Sequence, residues 1–293
     1  MELLLFLLVN GIIWGCVYGL IAVSFAIIFS TTGLFHFAHG ATFVLGVYIT
    51  HFWLSRGLHI VLAVAIAMVV CSLVGMGLEL AVYRPLRRRG TSRMVILSAS
   101  IGVLFFAQNV IAIVFSTDQL FLAPQLGRET FRLGPVIVTA LHIGIVAVSL
   151  AFFAAIYLYL RFTKMGTAIR AMANNQEMAE VVGIDLGRVY LTVFAIGSAL
   201  AAPAGVMLAL MASFNPYMGA QAILLGAVAT IVGGMGSIVG AMPAAMLLGV
   251  AENVGIWQIP TAWKPAISFG IIMLFIIFRP TGFFGLKTSK TGV

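Results

Sequence analysis

The feature of this chain that most constrains its fold is a series of apolar runs, each about 20 residues long. A helix of about 20 apolar residues spans the roughly 30 Å hydrocarbon core of a bilayer. Because these runs occupy most of the sequence, we predict an integral membrane protein. Only 8% of the residues are charged, whereas an ordinary soluble domain has roughly 25%. The mean hydropathy of +1.15 supports the same prediction.

The predicted membrane segments are helices, because no barrel-like alternation is visible and an open backbone is not tolerated in lipid. The predicted spans are 3–29, 37–54, 60–82, 94–115, 136–160, 189–212, 221–234, 237–256 and 265–279. The seventh span is short, and with the eighth it can form a broken or re-entrant pair. We therefore predict an all-α polytopic membrane protein with about eight or nine transmembrane helices, as a single domain over residues 1–293.

Basic residues predict which ends of the helices lie in the cytoplasm. Three polar segments hold 12 of the 16 Lys and Arg residues. They are Arg84, Arg87, Arg88, Arg89 and Arg93; then Arg161, Lys164, Arg170 and Arg188; then Arg279, Lys287 and Lys290. The positive-inside rule places all three, and so the C-terminus, in the cytoplasm, while nine crossings place Met1 outside. The net charge of +8 is thus explained by topology, and we expect no nucleic-acid partner.

The polar segment 161–188 contains seven charged residues. Burying it in a bilayer would cost on the order of 20 kcal/mol, so it stays in water. Its pattern predicts one helix, with Thr167 as N-cap and Gly183 at the C′ position. Small residues form a stripe along this helix: Ala168, Ala171, Met172, Asn175, Ala179 and Val182. The helix either lies over the inner ends of the membrane helices or presents this stripe to a cytoplasmic partner.

One motif in this segment bears on that choice. The stretch "EMAEVVG" (177–183) resembles the E-A-A-x-x-x-G signature of the coupling helix in bacterial ATP-binding-cassette importer permeases. Glu177, Met178, Ala179 and Gly183 stand at the four signature positions. The candidate coupling residues are Gly166, Arg170, Ala171, Glu177, Met178, Ala179 and Gly183.

Further motifs extend the resemblance from end to end. They are "FHFAHG" (35–40), "YRPLR" (83–87), "IGVLFFAQN" (101–109), "NPYMG" (215–219), "GGMGSIVGAMPAAMLLGVAE" (233–252) and "RPTGFFG" (279–285). The chain is similar to the LivH-type permeases of branched-chain amino acid importers. His36 and Ala41 depart from the usual residues of this family, which leaves the particular solute open.

This resemblance implies a transport subunit of a bacterial inner membrane rather than an enzyme. Its expected partners are a homologous LivM-like permease, two cytoplasmic ATPase subunits and a periplasmic substrate-binding protein. The sequence has no G-x-x-x-x-G-K-[ST] stretch, so ATP and Mg²⁺ are expected on the ATPase subunits and no cofactor on this chain. The expected cargo is a branched-chain amino acid or a related small amino acid, with urea and short amides as alternatives.

Polar side chains within spans are costly, so they face either a pathway or another helix. Asn10, His39, Gln108, Asn109, His142, Asn215, Glu252 and Asn253 are candidates, and interhelical hydrogen bonding is the alternative for each. Gly40, Gly234 and Gly236 lie where glycines interrupt apolar runs. Transporters build midplane sites from such broken helices, but close packing between helices also uses small residues. Near the inner end of the third span, we expect Glu79 to form a structural ion pair with Arg84.

Two other functions are weighed against the permease. An ion-coupled secondary transporter would need a titrating carboxylate within the membrane, for which Glu252 is the candidate. An intramembrane enzyme would need a nucleophile, but Ser237 lacks the G-x-S-x-G elbow. His36 and His39 can share a helix face, yet two histidines without a further ligand make a poor metal site, so no metal is expected.

Overall fold

A computed structural model describes residues 2–122, 129–133, 136–234, 236–258, 260–279 and 282–283. Within these residues the chain is almost entirely helical. The helices are α1 Glu2–Thr32, α2 His39–Leu54, α3 Ile60–Leu78, α4 Arg84–Arg88, α5 Arg93–Phe115, α6 Ala140–Phe162, α7 Lys164–Asn174, α8 Gln176–Val181, α9 Leu186–Met211, α10 Met218–Gly233, α11 Ala241–Gly255 and α12 Lys264–Phe278. A π-helical turn, Glu79–Tyr83, joins α3 to α4, and a 3₁₀ turn, Thr261–Trp263, precedes α12.

Six of these helical segments are long and apolar enough to cross a membrane. They are Glu2–Thr32, Ile60–Arg88, Arg93–Phe115, Ala140–Phe162, Leu186–Met211 and Thr261–Phe278. Helix α10 is apolar but shorter, and α2 and α11 have 16 and 15 residues. The predicted all-α polytopic membrane fold is confirmed, whereas the number of crossings, eight or nine, stays a prediction.

Burial differs sharply between the inner and outer helices of the bundle. In its most apolar stretch α1 is 89% buried, whereas the stretch that includes α12 is only 6% buried. Large apolar side chains such as Phe106, Ile113 and Met273 point away from the protein. A helix that is apolar on all sides needs either a protein or a lipid environment. The outer surface of α5, α6 and α12 therefore fits a bilayer.

The predicted fifth span begins four residues too early. Val136–Thr139 form strand β2, which pairs antiparallel with β1, Thr130–Leu133, and Thr130 opposes Thr139. The β-branched residues of β2 favour an extended backbone. Thr139 then caps α6, because its hydroxyl accepts a hydrogen bond from His142 N at 3.3 Å. His142 thus completes the helix cap in the first turn of α6.

Glycines let α1 pack directly against α11. Gly11, Gly15 and Gly19 recur every four residues, so they lie along one face of α1. A β-carbon at Gly15 would lie only 2.7 Å from the Cα of Met246, and one at Gly11 would lie 2.7 Å from the Cα of Val250. Small residues permit this close contact between membrane helices.

The basic segments gather at one end of the bundle, which we call the basic end. The guanidinium group of Arg87 lies 4.1 Å from the ring centre of Tyr190, at the start of α9. The turn after α10 reaches the same end, since a β-carbon at Gly236 would lie 3.7 Å from Ala173 O in α7. Lys287 and Lys290, predicted to be cytoplasmic, lie outside the described residues.

Candidate functional site

The polar segment forms two short helices instead of the single predicted helix. Asn175 has an extended backbone, φ −155° and ψ 108°, which separates α7 from α8. Its side-chain oxygen accepts a hydrogen bond from Met178 N at 3.0 Å and so caps α8. The N-cap predicted at Thr167 is also wrong, because Thr163 caps α7 by accepting from Gly166 N at 2.9 Å. Each of the two capping residues therefore starts its own helix.

The inner faces of α7 and α8 pack against the bundle. Ile169 and Met172 of α7 are buried, and so is Ala179 of α8, which is 2% exposed. Met172 and Ala179 both belong to the predicted stripe of small residues, so this part of the stripe faces the bundle, as expected for a segment that lies over the inner ends of the membrane helices. Gly166 permits the close contact of α7 with α6, since a β-carbon there would lie 2.6 Å from Leu160 Cα.

An exposed apolar patch lies at the far end of α8. Met178, Val181 and Val182 are 60%, 78% and 72% exposed. We call these three residues the apolar tip. Gly183 follows with φ +86°, in the left-handed region that favours glycine, and so occupies the predicted C′ position. Of the three tip residues, Met178 was predicted as a coupling residue and Val182 as part of the stripe of small residues, whereas Val181 was not predicted, although a Val-Val pair beside a helix-ending glycine was its signal.

The other predicted coupling residues surround this tip in different ways. Arg170 and Glu177 are exposed to solvent, and Ala171 is half-buried. The exposed charges and the apolar tip together give this end of the molecule a mixed surface, which is the composition of a protein interface rather than of a lipid-facing helix.

Hydrogen-bonded and stacked side chains connect α8 to the membrane helices. Gln176, the first residue of α8, donates a hydrogen bond to the Tyr190 hydroxyl. Arg87 stacks on the Tyr190 ring and forms an ion pair with Glu79 in the π-helical turn. The predicted partner of Glu79 was Arg84; the helical path places Arg87, two turns after Glu79, on the same face. This contact chain leads from the water-exposed segment into the bundle.

Two helix N-termini meet inside the bundle. Helices α2 and α10 are both shorter than a full span, and each begins with a glycine at its second position, Gly40 and Gly219. A β-carbon at Gly40 would lie 2.7 Å from Gly219 O, so the two backbones touch. Ala38 N, just before α2, donates to the Ser100 hydroxyl within α5 at 3.1 Å. The helix breaks predicted from glycines therefore exist, and the first lies inside the bundle.

Buried histidines flank the start of α2. The His39 ring is hydrogen-bonded to the Ser24 hydroxyl at 3.0 Å, and the His36 ring to the Tyr83 hydroxyl at 2.8 Å. The Tyr83 hydroxyl in turn donates to Ser100 at 3.0 Å. His36, where the sequence departs from the family pattern, is thus part of a network that joins the π-helical turn, α5 and the segment before α2.

The remaining candidate residues fall in separate places. Gln108 is buried on α5, and its side-chain nitrogen has no hydrogen-bond partner among the described residues. Its neighbour Asn109 is exposed and, within the part of the chain that the structure describes, its side chain donates only to Phe105 O, on its own helix. Asn10 is half-buried near the start of α1, and Asn215 accepts from Tyr217 N in the turn before α10.

Gly234 and Gly236 lie at the basic end rather than in the middle of the bundle. Their φ angles are +115° and +98°, so they form the turn between α10 and α11. The sequence left two explanations open for these glycines, a helix break or close packing between helices, and at Gly234 and Gly236 the structure has a helix break. Close packing applies one residue earlier, since a β-carbon at Gly233 would lie 2.7 Å from Gly240 C.

Glu252 is a buried carboxylate near the other end of α11. It is 2% exposed and accepts hydrogen bonds from the hydroxyls of Tyr18, at 2.9 Å, and Ser268. The neighbouring Asn253 accepts from the Lys264 ammonium at 3.2 Å. Polar groups at these positions are held by named partners within a membrane-type bundle, the arrangement typical of a transport pathway or of its supporting residues.

A bundle of membrane helices with buried polar groups and a water-exposed helix pair at one end defines a multi-pass membrane protein of the transport class. The chain belongs to the family described as "Branched-chain amino acid transport system / permease component", whose model matches residues 7–277. This finding confirms the LivH-type resemblance.

Individual relatives cover nearly the whole chain. The branched-chain amino acid permease protein LivH of Escherichia coli K12 is 31% identical over 291 residues, 94% of each chain. The permease protein BraD of Pseudomonas aeruginosa is 34% identical over 95% of this chain and 94% of its own. A probable LivH of Methanocaldococcus jannaschii is 26% identical over 97% of this chain and 93% of its own. No solved structure matches the chain significantly.

Proposed function

We propose that this chain is the permease subunit of an ATP-binding-cassette importer and that it carries branched-chain amino acids across a bacterial inner membrane. The relatives LivH and BraD are named as permeases of high-affinity branched-chain amino acid transport systems. The single structural observation that carries the proposal is the apolar tip of α8, exposed to water at the basic end.

The proposed partners supply functions for which this chain has no sequence motif. Without a P-loop sequence it draws on ATP and Mg²⁺ bound by two separate ATPase subunits. The positive-inside rule puts the basic end, and therefore α8 and the C-terminus, on the cytoplasmic side, where those subunits reside. A homologous LivM-like permease completes the membrane part, and a periplasmic binding protein delivers the amino acid.

The apolar tip supports docking to an ATPase subunit. Exposed apolar side chains that project into water gain free energy when a partner covers them, at roughly 25 cal/mol for each Å² buried. The helix that carries them does not enter the hydrocarbon core of a bilayer, because Glu177 and Glu180 lie on the same short helix. A short helix with an apolar edge fits the groove-binding mode of helix recognition.

The contact chain behind α8 transmits movement of the docked ATPase subunits to the membrane helices. Movement of α8 pulls on Tyr190 through Gln176, and Tyr190 is stacked on Arg87, which is paired with Glu79 in the π-helical turn. π-Helical turns within α-helices often mark functional sites. Closure of the ATPase subunits thereby shifts α3 and α9 relative to the buried start of α2.

Cysteine labelling tests the docking. The natural Cys16 and Cys71 are both buried, so a single introduced cysteine on α8 reports alone. We expect maleimide to modify Val181→Cys rapidly in the isolated permease and at least tenfold more slowly in the complex with the ATPase subunits. Met94→Cys is the matched control, because Met94 is 73% exposed at the same end of the bundle but lies outside the polar segment. Equal labelling of Val181→Cys with and without the ATPase subunits would contradict the docking role.

A further inference from the structure

A cavity of about 330 Å³ lies between α1, α10, α11 and α12, at the end of α11 away from the basic end. Small-molecule sites typically have volumes of about 300–1,000 Å³, so this cavity can hold one amino acid. Its lining is mostly apolar but includes one carboxylate, from Glu252, and one ammonium group, from Lys264.

The two charges are held apart and in place. Tyr18 and Ser268 donate hydrogen bonds to Glu252, while Lys264 donates to Asn253 and lies 5.6 Å from the Trp14 ring centre. Within the described part of the chain, the ion pairs are Glu79–Arg87 and Asp185–Arg188, so Glu252 and Lys264 do not pair with each other. They nevertheless interact electrostatically across the cavity.

Keeping two charges without ionic partners away from water costs free energy, unless a bound molecule compensates for it. A buried carboxylate and a half-buried ammonium without an ionic partner lose hydration that their few hydrogen bonds only partly replace. A guest molecule with one positive and one negative group would supply both missing partners.

The remaining wall suits an apolar side chain. Leu224, Leu225 and Val228 of α10 and Phe269 of α12 line the cavity beside the two charges. We propose that this cavity binds a zwitterionic amino acid, with its ammonium group on Glu252, its carboxylate on Lys264 and its aliphatic side chain against α10. This inference rests on the proposed function, because it places that importer's cargo within this chain.

The chemistry predicts a specific pattern of selectivity. Each charge-assisted hydrogen bond is worth about 1.5–3 kcal/mol, which corresponds to roughly 10- to 100-fold in affinity. Leucinamide keeps the ammonium group but lacks the carboxylate, whereas 4-methylpentanoate keeps the carboxylate but lacks the ammonium group. Both should therefore bind the wild-type site at least tenfold more weakly than leucine.

The experiment measures equilibrium binding of radiolabelled leucine to the complete complex of permeases and ATPase subunits in nanodiscs. The periplasmic binding protein is left out so that its own selectivity does not contribute. Lys264→Met should lower leucine affinity at least tenfold and make leucinamide as good a competitor as leucine. Glu252→Gln should do the same for 4-methylpentanoate. Val228→Phe, which fills the cavity without altering a charge, should lower leucine affinity as well.

Matched controls remove charges elsewhere. Arg56→Met and Glu129→Gln change exposed groups outside the cavity and should leave leucine binding and both competitor ratios unchanged. Absence of leucine binding by the wild-type complex, or wild-type affinity and selectivity in both Lys264→Met and Val228→Phe, would overturn the site.

ATP-dependent uptake in the same preparation separates the two proposals. Uptake of leucine by the complex supplied with its binding protein, together with unchanged selectivity in Lys264→Met, overturns the cavity alone. Failure of the wild-type complex to take up any branched-chain amino acid overturns the proposed function.

Discussion

The ion pair between Glu79 and Arg87 gives the sharpest test of the packing at the basic end. The Arg87 side chain is 21% exposed and that of Glu79 only 1%, so the two partners do not contribute equally. Replacing Arg87 with methionine preserves most of the apolar stem but leaves the Glu79 carboxylate buried without its partner. It also removes the cation from the Tyr190 ring.

The expected cost can be worked out from these contacts. Removing one member of a buried ion pair typically costs about 3–5 kcal/mol. Arg84 also interacts with Glu79 and partly replaces the lost charge, and a stranded carboxylate can take up a proton. Both effects reduce the destabilisation, so Arg87→Met should lower the free energy of unfolding by about 3 kcal/mol, the lower end of that range. Glu79→Gln should cost only about 1 kcal/mol, because the glutamine keeps a side-chain oxygen that can accept the hydrogen bond from Arg87.

The decisive comparison is with the double variant. Glu79→Gln combined with Arg87→Met removes both charges, so it should be more stable than Arg87→Met alone despite carrying one more substitution. Equilibrium unfolding of the purified chain in mixed micelles with increasing SDS measures all three free energies. A double variant no more stable than Arg87→Met, or a loss below about 1 kcal/mol for Arg87→Met, would show that Glu79 does not depend on Arg87 as its buried ionic partner.

Two matched pairs test the interior. Gly40→Val should reduce ATP-driven uptake at least tenfold, because its β-carbon would lie 2.7 Å from Gly219 O. Gly102→Val should keep wild-type uptake, since no atom of the described residues lies within 4 Å of its added carbon. Equal uptake by the two glycine variants would show that α2 and α10 do not need their close contact. Gln108→Ala should lower uptake severalfold, whereas Asn109→Ala, which loses only a bond to its own helix, should not. The same proteoliposome assay checks both pairs. A larger loss of uptake in Asn109→Ala than in Gln108→Ala would contradict the prediction that Gln108, and not Asn109, contributes to transport.

Helix positions were predictable from the sequence because they depend on local signals. The span predicted at 94–115 is observed at Arg93–Phe115, and the one at 265–279 is observed at Lys264–Phe278. Apolar length and flanking polar residues determine these limits. Gly183 was likewise placed correctly at C′, because few other residues adopt a positive φ angle.

Competition between neighbouring local signals explains the errors. Thr163, Thr167 and Asn175 are all acceptable N-caps, and the structure uses the first and third. The stripe of small residues was nevertheless placed correctly in part, because Met172 and Ala179 both face the bundle, whereas Val182 is exposed at the end of α8.

Contacts between residues that are far apart in the sequence could not be predicted from the sequence alone. The hydrogen bond from Tyr18 to Glu252 joins residues 234 positions apart. Glu252 was predicted as a pathway residue from the cost of burying its charge, but its partners and the cavity beside Lys264 depend on how four helices pack. The contact of Gly40 with Gly219 likewise joins residues that are far apart in the sequence.

The most direct test of the account is accumulation of radiolabelled leucine in proteoliposomes prepared with and without the ATPase subunits. We predict accumulation only when the ATPase subunits, ATP and the binding protein are present. The combined variant Met178→Ser, Val181→Ser and Val182→Ser should reduce accumulation at least tenfold, while Met94→Ser keeps the wild-type level. Accumulation by permease subunits without the ATPase, or full accumulation by the variant of the apolar tip, would contradict the claim that α8 transmits the work of ATP hydrolysis.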